Sequence, residues 1–156
     1  MKGKTTAHLA ALVGFVLLLL GGGDAAGQQL TTRQANCGRF VGIDLYLDPL
    51  GQTLAAYQLE VTDPTGTAKL VGIEGGDHPA FREPPFYDPA ALGGGRVIIA
   101  ALSTDPRLPR SKTRVATLHL HLAGEIEPDL QVRLEVANTV TGEEIPVTID
   151  LEGVGP

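Results

Sequence analysis

The sequence holds no tryptophan, one methionine and one cysteine, and only seven aromatic residues. Each scarcity narrows the field. A lone cysteine, Cys37, cannot close a disulfide within the chain, so a folded domain here rests on its core. Cys37 lies in the polar stretch "TTRQANCGRF", with no motif that sets a base beside it. It reads as an incidental or buried thiol, or one that pairs with another chain, and not as a nucleophile. The shortage of aromatic rings counts against a flat row of them for stacking on sugars. Basic residues are outnumbered, 12 against 18 acidic, and they are scattered. That disfavours a nucleic-acid partner. There is no G-x-S-x-G, no H-E-x-x-H, no phosphate-binding loop and no calcium loop of the EF-hand kind. Nothing points to an enzyme or to a cofactor.

Long apolar runs are also lacking, with one exception at the start. Lys2 and Lys4 precede an apolar stretch from Ala7 to Leu20, and "GGGDAAG" follows. This layout predicts a secretory signal peptide over residues 1–27 and an exported protein, secreted or periplasmic. The stretch is shorter than the ~20 residues a spanning helix needs. No later segment is long enough either, so no membrane span is expected in the mature protein. No cysteine directly follows the apolar stretch, which argues against a lipid anchor. Without Lys2, Lys4 and Asp24, the mature chain carries ten basic and seventeen acidic residues, a net charge near −7. Such a surface repels anionic polymers and suits a neutral glycan or a basic partner.

What the chain does have is punctuation and alternation. Gly and Pro number 20 and 11 and fall between short alternating runs, which predicts all-β structure. "VGIDLYLD" sets Val41, Ile43, Leu45 and Leu47 against Asp44, Tyr46 and Asp48. "TLAAYQLEV" sets Tyr57, Leu59 and Val61 against Gln58 and Glu60. "RVATLHLHLA" puts Ala116, Leu118, Leu120 and Leu122 inward and Val115, Thr117, His119 and His121 on the wet face. "DLQVRLEVA" puts Leu130, Val132, Leu134 and Val136 inward. "EIPVTIDLE" closes the series, with Pro146 marking an edge strand or a bulge. "AKLVGIE" is a less regular strand. "RVIIAALS" is apolar at nearly every position, as expected of a strand covered on both faces. Strands with one apolar face bury it by stacking as two sheets, a sandwich. Each inward aliphatic side chain contributes ~1.5–3 kcal/mol.

Two stretches carry the candidate site residues. Residues 75–95, "GGDHPAFREPPFYDPAALGGG", form a connection with four prolines, five glycines and three aromatics. Long loops on a rigid scaffold often carry function. Phe81, Arg82, Phe86 and Tyr87 are therefore candidate partner-binding residues, since aromatics and Arg commonly anchor interfaces. The alternative is that Phe81 and Phe86 tuck beneath the loop and plug one end of the sandwich. The second stretch pairs His119 with His121, two apart on one strand face. They are weak metal candidates. A site needs three or four converging ligands, and no third falls at a recognisable spacing. Two rings on the solvent face of a sheet is the plainer reading.

The order of these features resembles the cohesin domain of bacterial cellulosomal scaffold proteins. The matching segments are "LAAYQLEVTDP" (54–64), "LVGIEGG" (70–76), "RVIIAALST" (96–104), "RVATLHLHLAGE" (114–125) and the closing "LQVRLEVANTVTGEEIPVTIDLEG". The resemblance implies a jelly-roll β-sandwich of about nine strands over residues 40–153, led in by a flexible segment at 28–39. It implies no catalytic site and no cofactor of its own. It also implies an extracellular bacterial protein that binds another protein, dockerin-like or on the cell surface, through one sheet face. Carbohydrate-binding modules share much of the pattern, so a polysaccharide partner is the alternative expectation.

Overall fold

The computed structural model describes residues 38–125 and 127–154. The expected signal peptide and Cys37 lie outside the described residues. Eight strands follow in order: β1 (Arg39–Asp48), β2 (Ala56–Thr62), β3 (Ala68–Gly75), β4 (Phe86–Tyr87), β5 (Arg96–Leu102), β6 (Thr113–Leu122), β7 (Gln131–Asn138) and β8 (Thr148–Val154). They form two four-stranded sheets. Sheet 1 has the order β3-β6-β1-β8 and sheet 2 the order β4-β5-β2-β7, and the neighbouring strands pair antiparallel. The apolar faces of both sheets meet in a single core that includes Leu45, Leu47, Leu59, Ile99, Leu118, Leu120 and Leu122. Among the described residues, no helix is long and apolar enough to cross a membrane.

The alternation read from the sequence sets these faces. Ile43 stands opposite Leu118 and Leu45 opposite Ala116, all directed inward. Tyr57 reaches across the core and donates to the Val115 carbonyl at 3.2 Å. That carbonyl belongs to the one β6 residue without a partner in the β1 register, where the ladder shifts between Leu45 and Tyr46. The bulge thus offers a buried acceptor, and the phenol satisfies it. Burial pushes the Tyr57 phenol well above its usual range.

The turns follow their residues. In "DPTG", Asp63 accepts from the N–H of Thr65 at 3.0 Å and of Ala68 at 2.6 Å, and from the Thr65 hydroxyl at 2.6 Å. Burial pushes this carboxyl up, yet the hydrogen bonds prevail and hold it below the usual carboxylate range. In "DPLG", the hydrogen-bonded turn runs one residue later than Asp-Pro predicts. Gln52 N–H donates to the Pro49 carbonyl, and Leu50 and Gly51 take φ of 54° and 88°.

Four expectations are corrected. Val115, read on the wet face, is a core residue at 0% exposure, because the bulge that leaves it without a partner in β1 breaks the alternation there. Val136 faces solvent and Ala137 takes the core position, because the β2–β7 register shifts between Gln58 and Leu59 and one extra residue of β7 flips the alternation. Thr117 lies on the outer face of sheet 1 but is buried at 5% exposure, under the side chain of Arg114. β5 is not covered on both faces: Val97 and Ile99 are buried, while Ile98 is 38% and Leu102 71% exposed.

The two flanks of the sandwich differ. On the β3–β4 flank the connecting loop folds over the edge. Phe81 is buried and meets the Tyr57 ring edge-on, with centroids 5.3 Å apart. The loop is tied down by Gly76 N–H to the Phe81 carbonyl and by Gly93 N–H to the Leu70 carbonyl. Gly75 and Gly76 permit this approach, since a Cβ at either would overlap the carbonyl of Arg82 or of Arg114. On the β7–β8 flank, Val132, Leu134, Ile149 and Leu151 face the core yet stay half-buried.

Candidate functional site

The outer face of sheet 2 is the notable surface. Its register sets Phe86, Ala100, Gln58 and Val136 in one row across four strands. Ile98, Glu60 and Arg133 form the next row, and Arg96, Thr62 and Gln131 the one after. On the other side, Leu102, Ala56 and Asn138 complete the face. Phe86 is 80% exposed, Leu102 71%, Ile98 38% and Val136 37%. Large apolar side chains gathered on one exposed sheet face mark a contact surface.

Charges frame this apolar row on one side. Glu60, on the central strand β2, accepts from Arg96 at 2.7 Å and from Arg133 at 3.1 Å. Arg133 also lies 2.5 Å from Glu135. The hydrogen bond from Arg96 is the main cause that holds the Glu60 carboxyl below its usual range. Both guanidiniums are largely exposed beyond the carboxylate they share. They offer donors to a partner without first breaking their tie to the sheet.

The structure sorts the loop candidates. Phe86 joins the sheet face through β4, which holds only Phe86 and Tyr87 against Ala100 and Ile99 of β5. Tyr87 is half-buried and packs against the core. Arg82 is exposed at the end of the short 3-10 turn Pro79–Phe81. Phe81 offers no surface to a partner, because it is a core residue against Tyr57. The pairing of Phe81 with Phe86 therefore separates: one is the plug, the other the exposed ring. Ile98, Leu102 and Val136 were not among the sequence candidates. The signal for two of them was the doubly apolar run "RVIIAAL".

The outer face of sheet 1 is built differently. Arg114 donates to Asp44 and Thr117 at 3.0 and 3.1 Å and also bonds Asp77, while Thr117 donates to Asp44 at 2.6 Å. Lys112 lies over the Tyr46 ring and contacts Asp150 at 3.1 Å and Glu152 at 2.8 Å. His119 and His121 sit on this face. His119 Nε2 is 3.1 Å from Glu74, outside hydrogen-bond alignment, and His121 packs on Phe40 with ring centroids 4.9 Å apart. Among the described residues, no three His, Cys, Asp or Glu side chains converge as metal ligands.

Known proteins give one structural likeness to set beside this geometry. A chain of a type I cohesin–dockerin complex from Clostridium thermocellum has a TM-score of 0.54 at 11% identity, over 72% of this chain and 84% of that one. The fold is cohesin-like. It is an all-β jelly-roll sandwich, with eight strands among the described residues where about nine were expected. No protein-family profile matches the chain, and no curated protein matches it.

Proposed function

We propose that this chain is an exported, non-catalytic protein-binding module that docks its partner through the outer face of sheet 2. The observation that carries this reading is the exposure of Phe86, Ile98, Leu102 and Val136 together on one sheet face. Burying that apolar surface supplies affinity. The Arg96–Glu60–Arg133 set supplies orientation, since guanidiniums at an interface match carboxylates and carbonyls with fixed geometry. The cohesin-like fold supports the reading, and the neighbour was solved in a complex with a dockerin. A dockerin-like protein or another extracellular bacterial partner fits a face of this kind. A polysaccharide partner has less support, because Phe86 is the one aromatic ring among the described residues on this face.

The test uses the exported chain against a panel of purified dockerin domains, beside sedimentation with insoluble polysaccharides. The variant F86D/L102D changes two exposed side chains and leaves the core alone. Binding to a member of the panel should weaken ~30-fold or more in the variant, as for loss of interface anchors worth ~2 kcal/mol. A partner held equally by both forms, or sedimentation with polysaccharide in place of protein binding, overturns the reading.

A further inference from the structure

We propose a second, separate docking site: the edge of β8, unpaired among the described residues, accepts an extended segment of a partner protein in which basic and aliphatic residues alternate. The four sheet edges of this sandwich are not equivalent. β3 breaks its ladder between Leu70 and Gly72, and the loop covers it through Gly93 N–H on the Leu70 carbonyl. β4 is two residues long. β7 carries the register shift, the Arg133 and Glu135 charges, and a bridge from Asn138 to Glu144. These are the devices by which proteins blunt an edge against pairing. β8 has no break, cover or bridge among the described residues, and its charges are of one sign, Asp150 and Glu152. It pairs with β1 from Thr148 to Val154 without a shift, and alternate residues of a strand paired on one side direct N–H and C=O groups to the other.

The side chains beside this edge state what would pair there. Asp150 and Glu152 point to the outer face of sheet 1, and the two carboxylates share one ammonium, that of Lys112. Ile149 and Leu151 point inward but are half-buried. Beyond Leu151 opens a cavity of about 280 Å³ whose lining combines the aliphatic Ile43, Leu130 and Leu151 with Glu127 and Asp129. Paired residues in neighbouring strands project to the same face. An added strand thus sets its residues opposite Asp150 and Glu152 outward, beside surplus negative charge. The residue between them enters the cavity, where Leu151 beside it and Ile43 and Leu130 supply aliphatic carbon for its stem. Basic–aliphatic–basic is the pattern that satisfies all three positions. A second copy of this chain does not supply it. Two β8 edges paired antiparallel set Asp150 and Glu152 against the same carboxylates, which is destabilising.

The probe is a synthetic peptide alternating Lys and Val, with a Glu–Val peptide as its control. Affinity is read by fluorescence anisotropy on the exported chain, and placement by amide hydrogen exchange. The Lys–Val peptide should bind and slow exchange in β8, while the Glu–Val peptide should not bind. D150K/E152K should weaken the Lys–Val peptide by about tenfold or more, as for loss of close complementary charge. Because that variant deprives Lys112 of its partners, K112E/D150K/E152K serves as a second form that keeps an internal pairing with the signs exchanged. It should favour the Glu–Val peptide. F86D/L102D should respond to the peptides as the natural chain does, so this site and the sheet 2 face fail or stand separately. Unchanged β8 exchange, equal binding of both peptides, or equal binding by the charge-exchanged form overturns the proposal. So does β8 protection that grows with protein concentration alone, which makes a second copy the occupant.

Discussion

The two outer faces of this sandwich are cut from the same alternating pattern and differ in how far their side chains bond one another. On sheet 1, Arg114, Thr117, Asp44 and Asp77 bond one another across β6, β1 and the start of the loop, and Lys112 reaches over Tyr46 to β8. Across β6 and β1 the polar groups are bonded by neighbours; Phe40, beside His121, and the two carboxylates that share Lys112 on β8 are the parts of this face left open. On sheet 2, Phe86, Ile98, Leu102 and Val136 stand in or beside the central rows with solvent above them. A face that satisfies its own hydrogen bonds gains stability from them and has little left to offer. A face that leaves aliphatic and aromatic carbon uncovered gives up that stability and holds it ready for a partner. The difference separates residues that serve the fold from residues free to serve recognition.

That division can be broken by measurement. The largest effect belongs to the layer beneath both faces. Leu118→Ala should cost ~2–5 kcal/mol in denaturant unfolding, because Leu118 is fully buried between the sheets and its loss leaves a cavity. Next comes the bonded face. Thr117→Val keeps the shape but strips a hydroxyl that donates to Asp44 and accepts from Arg114, and should cost ~1–3 kcal/mol. The smallest effect is expected on the open face, where Leu102→Ser should shift stability by less than ~0.5 kcal/mol. Its 71% exposure leaves little packing to lose. If Leu102→Ser costs as much as Thr117→Val, sheet 2 is a structural surface and the contrast between the faces disappears.

The sandwich was legible because period-2 alternation survives in β2 and along most of β1 and β6, where the inward residues of the sequence reading pack in or against the core. It failed where one residue was inserted. Nothing local in "LQVRLEVA" announces a bulge at Glu135, and a single extra residue exchanges every side chain beyond it, so Val136 and Ala137 were read on the wrong faces. The site was hidden for a different reason. A strand apolar on both sides looks the same whether its second face is covered by its own chain or kept for another, and "RVIIAALS" was assigned the first meaning. Phe81 and Phe86 present the same problem at shorter range. Both sit beside prolines in one loop, and only the packing of Phe81 on Tyr57 tells plug from exposed ring. Thr117 was placed on the correct face but judged wet, because the reach of Arg114 across the sheet leaves no trace in local spacing.

The brevity of β4 has a consequence for how such a module diverges. Phe86 is held at the edge of sheet 2 by only two paired residues, between Phe81 anchored in the core and Gly93 bonded to Leu70. A longer strand would bind the identity of its residues to the register of the whole sheet. This short one works as an interchangeable tip on a fixed handle. The exposed positions between the two anchors, Glu83, Pro84 and Phe86, can accept other side chains, while Tyr87, Ala91 and Leu92 keep the stretch packed on the core. Descendants of one scaffold can in this way differ in their outermost side chains, and an engineer has exposed positions to vary that the core does not need to relearn.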